Sequence, residues 1–144
     1  MGIKHAFTSA VSDGADATLV RPSNWNANHA TVWTDVTGTS QSAAVNEHYI
    51  TNNASLVTVT LPTTAAFGDM LTVQGLGAGG WKIAQNASEQ IIWTAGGVDG
   101  SHETTIGTGG SLASTDRYDS VCLICVVADT TWVVHTAKGA ITLV

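Results

Sequence analysis

The pattern of hydrophobic and polar positions changes near residue 33. The run Ser12-Asp13-Gly14-Ala15-Asp16-Ala17-Thr18-Leu19-Val20-Arg21-Pro22-Ser23-Asn24-Trp25-Asn26 holds no sustained period of two or of 3.6, so it predicts neither a strand nor a long helix. Asp13-Gly14 reads as a turn, and Pro22 pushes Arg21 out of helical space. Ser23 can cap a short helical turn over residues 24–29. The segment reads as an irregular arm with two apolar anchors, Leu19-Val20 and Trp25. A Trp on such an arm docks on a partner or on the chain's own core.

From Val32 onward the strand formers Thr, Val, Ile and Trp dominate. Strands are expected over 56–61, stopped by Pro62, and over 70–74, after the turn Phe67-Gly68-Asp69. Further strands are expected over 81–85, 90–94 and 118–127. The tight turn 128–130 leads into 131–136, and a last short strand covers 140–144. Strands about 10 residues apart with turn signals between them predict an all-β protein, with an antiparallel sandwich or barrel-like body. No useful helical period follows Asn46. The organisation expected is an arm over 1–33 and a β body over 34–144.

Composition sharpens this picture. A chain of 144 residues is one domain, or one domain with a short appendage. Only 11% of residues are charged, against about 25% in an ordinary globular domain, and nearly half are Gly, Ala, Ser or Thr. Five cations and eleven carboxylates leave a formal charge of −6. The cations stand alone at positions 4, 21, 82, 117 and 138, whereas phosphate binding needs several on one face. Nucleic acid is therefore not an expected partner. No stretch reaches the ~18 apolar residues of a membrane span, so no membrane insertion is expected. The start Met-Gly-Ile-Lys-His-Ala-Phe has no signal-peptide hydrophobic region, and synthesis in a cytoplasm is the expectation.

Candidate chemistry is sparse. The loops Gly75–Gly80 and Gly107–Gly110 lack the Lys-Ser/Thr ending and following helix of a phosphate loop. Their glycines are expected to serve backbone geometry. Cys122 and Cys125 form a Cys-x-x-Cys inside an expected strand, where positions i and i+3 face opposite sides. They read as two separate small hydrophobes rather than as a metal or redox pair. His5, His29, His48, His102 and His135 show no zinc-ligand spacing, although three copies of one His on a threefold axis can gather an ion. The acidic residues are dispersed, Asp116 and Asp119 bracketing Arg117-Tyr118, and no Gly-x-Ser-x-Gly elbow is present. No enzyme activity, cofactor, catalytic residue or metal site is expected. Of the five Trp, Trp81 and Trp132 lie within alternating strands and are expected in the core. Trp25 and Trp33 flank the junction of arm and body and are expected to dock.

Two groups of segments carry a resemblance. Residues Asp16 to His29 (Asp-Ala-Thr-Leu-Val-Arg-Pro-Ser-Asn-Trp-Asn-Ala-Asn-His) resemble a segment recurrent in tail-associated and other virion proteins of tailed bacteriophages. In the body, Leu61 to Asp69, Gly77 to Asn86, Gly110 to Thr115 and Thr131 to Val134 are similar to a β-rich module of phage tail fibres and tailspikes. Together they span most of the chain. The resemblance implies a virion structural protein, commonly a homotrimer, with its β module exposed. The length departs from that of a full fibre, since no shaft is present. A short spike, a head decoration or fibre protein, or a small tail component fits better. On this reading Leu19, Val20, Arg21, Pro22, Trp25 and Trp33 attach the chain to the particle. Its partners are then its own copies and capsid, tail or baseplate proteins, and its location is the virion, assembled in the host cytoplasm. The alternative is a host receptor- or glycan-binding module, with Trp93, His102, Tyr118 and the loop 97–110 as contacts for a host surface glycan, because polar loops at a sandwich end carry function. A glycan depolymerase is the third reading.

Overall fold

A computed structural model of the chain describes residues 2–3, 12, 14–15, 29–30, 32–94 and 102–144. The chain divides into two units, Met1–Val32 and Trp33–Val144. In the first, β1 (Gly2–Ile3) pairs antiparallel with β2 (His29–Ala30), Gly2 opposite Ala30. The helical turn expected over 24–29 lies outside the described residues except at His29, which is in a strand.

The second unit is built from β3 (Trp33–Val36), β4 (Ser40–Ser42), β5 (Glu47–Thr51), β6 (Val57–Thr60), β7 (Met70–Gly75) and β8 (Trp81–Ala84), then β9 (Gln90–Trp93), β10 (His102–Glu103), β11 (Ser111–Ser114), β12 (Ser120–Val127), β13 (Thr131–Lys138) and β14 (Ile141–Leu143). The described residues contain no helix, and the protein is all-β. A seven-stranded sheet runs β10-β9-β13-β12-β7-β5-β3 and a five-stranded sheet runs β14-β11-β8-β6-β4.

Two features of the expected architecture are corrected. The sheets are mixed, not antiparallel, and neither closes into a barrel. From β3 to β8 each strand crosses to the other sheet, so strands two apart in sequence become neighbours running the same way. β3, β5 and β7 are parallel in the larger sheet, and β4, β6 and β8 are parallel in the smaller one. Each pair of strands forms one rung of a stack. After β8 the chain adds β11 and β12 antiparallel to the rung below. The hairpin β12–β13 and the β11–β14 pair then extend the two sheets. Both sheets keep open edges, at β3 and β4 on one side and at β10 and β14 on the other.

The core lies between the sheets. Alternation along each strand points one set of side chains inward. Val36, Tyr49, Leu71, Val73, Val121, Leu123, Cys125, Ile91 and Trp132 come from the larger sheet, and Val57, Val59, Trp81, Ile83, Leu112 and Ile141 from the smaller one. Trp81 and Trp132 are fully buried, as their alternating strands imply. Trp81 ties the layers together, its Nε1–H donating to the Asp119 carbonyl at 2.9 Å. Asp119 is itself buried, and its Oδ2 accepts from the Thr115 and Asp116 amides at 3.1 and 3.0 Å, which fixes the turn before β12. At the other end the carboxylates of Asp69 and Asp129 accept from the backbone amides of Ala66 and Ala65 and close the loop after β6.

Candidate functional site

The outward positions of the seven-stranded sheet form a surface that the alternation rule for a solvated sheet does not predict. Strand by strand, one row across it runs Met70, Ile124, Val133, Ile92 and Glu103. A second reads Asp35, Ile50, Gln74, Ser120 and Lys138. A third reads Trp33, His48, Thr72, Cys122 and Thr136. Val126 continues the outward side of β12, whose exposure alternates from Ser120 to Val126. Ile50, Met70, Ile92, Cys122, Ile124, Val126 and Val133 are all half-buried rather than covered. The charged residues of these rows, Asp35, Glu103 and Lys138, stand at the row ends. A solvated face of an antiparallel sandwich is ordinarily polar. The smaller sheet obeys that rule, since its outward positions are Ser40, Ser42, Thr58, Thr60, Lys82, Ala84, Ala113 and Thr142.

With strands about 4.8 Å apart and a rise of about 3.3 Å per residue, the three rows, polar positions included, span at most roughly 400 Å². The apolar part is the row Met70, Ile124, Val133 and Ile92, with Ile50, Cys122 and Val126 beside it, all half-buried. Its chemistry is burial of apolar surface, worth about 25 cal/mol per Å² removed from water. Trp33 stands at its β3 margin, 43% exposed, with its ring 5.0 Å from that of His48 at an interplanar angle of 37°. His48 Nδ1 is buried without a hydrogen-bond partner.

The other residues singled out from the sequence lie apart from one another. Leu19, Val20, Arg21, Pro22 and Trp25 fall outside the described residues, as do residues 97–101 of the loop 97–110. Trp93 is opposite His102 across β9 and β10, so these two do meet. Trp93, however, shares the inward side of β9 with Ile91 and packs against the core, leaving His102 as the exposed member. Tyr118 is elsewhere, in the turn before β12, 60% exposed and with a left-handed backbone, φ 73°. Such a φ is costly for a bulky residue. The Arg117 guanidinium lies over its ring at 4.9 Å, and Arg117 Nε–H donates to the Leu76 carbonyl at 2.6 Å. Trp93 is on β9 and Tyr118 is in the turn before β12, with β13 between those strands and the two residues near its opposite ends. They do not share one contact surface.

Cys122 and Cys125 face opposite sides of β12, Cys122 half-buried and Cys125 in the core, and both are free thiols. Burial pushes the Cys125 thiol above its ordinary range, reinforced by the carboxylates of Asp69, Asp129 and Glu89 and opposed by a backbone hydrogen bond at Asp129. A cavity of about 340 Å³ opens between Thr63, Asn86, Ser88, Glu89, Asp129 and Thr130. Each of its two acids bonds backbone through one oxygen, Glu89 Oε2 accepting from the Asn86 amide at 2.7 Å and Asp129 Oδ1 from the Ala65 amide at 2.7 Å, while Glu89 Oε1 is buried without a partner. Among the described residues no three His, Cys, Asp or Glu side chains gather as a metal site.

The apolar outer face is the surface that strand-by-strand reading of the sequence missed. The signal was present, because β12 reads Val-Cys-Leu-Ile-Cys-Val-Val with apolar residues at both parities. A strand of that kind is apolar on both sides and needs cover on both. No protein-family model matches this chain, and no curated protein matches it.

Proposed function

We propose that this chain is a non-enzymatic structural protein of a tailed-bacteriophage virion, with residues 1–33 attaching it to capsid, tail or baseplate and the β body projecting as a homotrimer. The resemblance of the arm and the body segments supplies the class of protein. The observation that carries the structural role is the apolar outer face of the seven-stranded sheet. A free-standing monomer gains nothing by presenting it to water, whereas a subunit in an assembly buries it. The scarcity of charge favours the same reading, since identical copies then bring few like charges together. Deletion of residues 1–33 tests the arm: particles assembled with the shortened chain should lack it, while the shortened chain stays folded. Decoration of particles by the shortened chain would refute the arm assignment.

A second reading, recognition of a host surface glycan, is favoured by one observation. Tyr118 is exposed, held in a left-handed conformation and covered by Arg117, and strained exposed residues concentrate at functional sites. On that reading the chain binds host cells and Tyr118→Ala removes the binding. Unchanged binding by the variant would remove Tyr118 from it.

A further inference from the structure

We propose that copies of this chain associate through the outer face of the seven-stranded sheet with the strands running along the symmetry axis, so that Asp35 of each copy lies beside Lys138 of the next. This rests on the reading of the body as a self-associating unit, but not on any location in a virion. The occupant of the face is thus a second copy.

Charge placement selects that occupant and its orientation. Asp35 and Lys138 are the two ends of a single row, joined through Ile50, Gln74 and Ser120 by consecutive strand registers. Four strand spacings separate them, about 19 Å. Both side chains are exposed, and the three residues between them carry no charge. Asp35 is on β3, the edge of the sheet. Asp35 and Lys138 are thus the two exposed charges of the row, at its two ends. A twofold axis parallel to the strands, lying between two facing sheets, carries one end of the row onto the other at the same height, so a carboxylate meets an ammonium at both ends. An axis lying across the strands would set Asp35 on Asp35 and Lys138 on Lys138, which costs rather than gains. The row alongside supplies the apolar contact, with Met70, Ile124, Val133 and Ile92 in succession.

The smaller sheet points the same way by contrast. Its outward Ser and Thr positions, with Lys82 among them, are solvated without help. The patch, at most roughly 400 Å², is small beside the ~800 Å² per partner of a standard interface. Association through it is accordingly expected to depend on concentration.

Sedimentation equilibrium of the full chain tests this with charge-exchanged variants. Asp35→Lys and Lys138→Asp should each weaken association, by roughly tenfold, because each sets like charges together. The double variant Asp35→Lys/Lys138→Asp should return it to within about twofold of the parent. Ile124→Asp should weaken it further, and Lys82→Glu on the opposite sheet should leave it unchanged. Circular dichroism establishes that each variant is folded. A dimer or a trimer that obeys this pattern supports the axis, and a dimer would still refute the homotrimer proposed above. A parent chain that is monomeric throughout, or single exchanges that weaken association without rescue by the double exchange, would overturn the inference. Failure of the arm-deletion test on particles would leave these results untouched.

Discussion

Trp81 and Trp132 are both fully buried, yet their indole N–H groups differ. That of Trp81 donates to the Asp119 carbonyl, whereas that of Trp132 is buried without a partner. The Asp119 carbonyl also accepts from the Gly75 amide at 2.9 Å, so it keeps one bond when Trp81 is replaced. Trp81→Phe should therefore cost about 1 kcal/mol more than Trp132→Phe beyond the packing loss they share. Paired urea melts measure the difference, and equal losses would contradict it. The cysteines give a second prediction. Cys125 is in the core with its thiol pKa raised by burial, while Cys122 is half-buried on the outer face. In native protein at neutral pH a small alkylating agent should modify Cys122 well before Cys125, as read by peptide mass. The raised value also carries a sign for stability. The folded state holds the Cys125 proton more tightly than the unfolded state, so its contribution is intact below the ordinary thiol pKa and falls as pH rises through that region. These pairings were legible in kind, since alternation gave the burial of both Trp and the opposed cysteines. The hydrogen-bond partners were not, because the turn that brings Asp119 to Trp81 joins residues 38 apart.

The elements show where such reading stops. Strands 57–60, 70–75, 81–84, 90–93, 120–127, 131–138 and 141–143 lie where the apolar alternation put them. Which strand is beside which did not follow. A strand feeding a hairpin and a strand crossing to a second sheet carry the same two-residue period, so alternation is silent about the parallel stack from β3 to β8. The closest local sign is glycine: a Cβ at Gly77 would collide with the backbone of Asn53, and one at Gly79 with that of Ser55. Those collisions report one rung's turn stacked on the next. In sequence the same residues read only as a Gly-rich loop. The stack makes its own prediction about local stability. β7 and β12 are flanked by strands on both sides, while β3, β4, β10 and β14 are edges. Amide hydrogen exchange should be slowest in β7 and β12 and fastest in the four edge strands. Protection in β3 equal to that in β7 in dilute monomer would contradict the observed order.

At the scale of the whole molecule, the two outer faces differ in kind, and that difference is what the functional reading stands on. Ser and Thr dominate one face, while the other carries a row of Met, Ile and Val beside two mixed rows in which Ile50 and Cys122 stand among Ser, Thr, Gln and His, with charges at row ends. The open edges are short or carry charge, β10 having two residues and β3 carrying Asp35. Such edges discourage edge-to-edge strand addition, which is why the proposed association uses the broad face rather than an edge.

The most direct measurement is the molar mass of the full chain by sedimentation equilibrium over a wide range of concentration. The account predicts a mass that rises from the 14.8 kDa of one chain towards a closed oligomer, with the rise suppressed by Ile124→Asp. A mass that stays at one chain across the range, or an oligomer indifferent to Ile124→Asp, would contradict it.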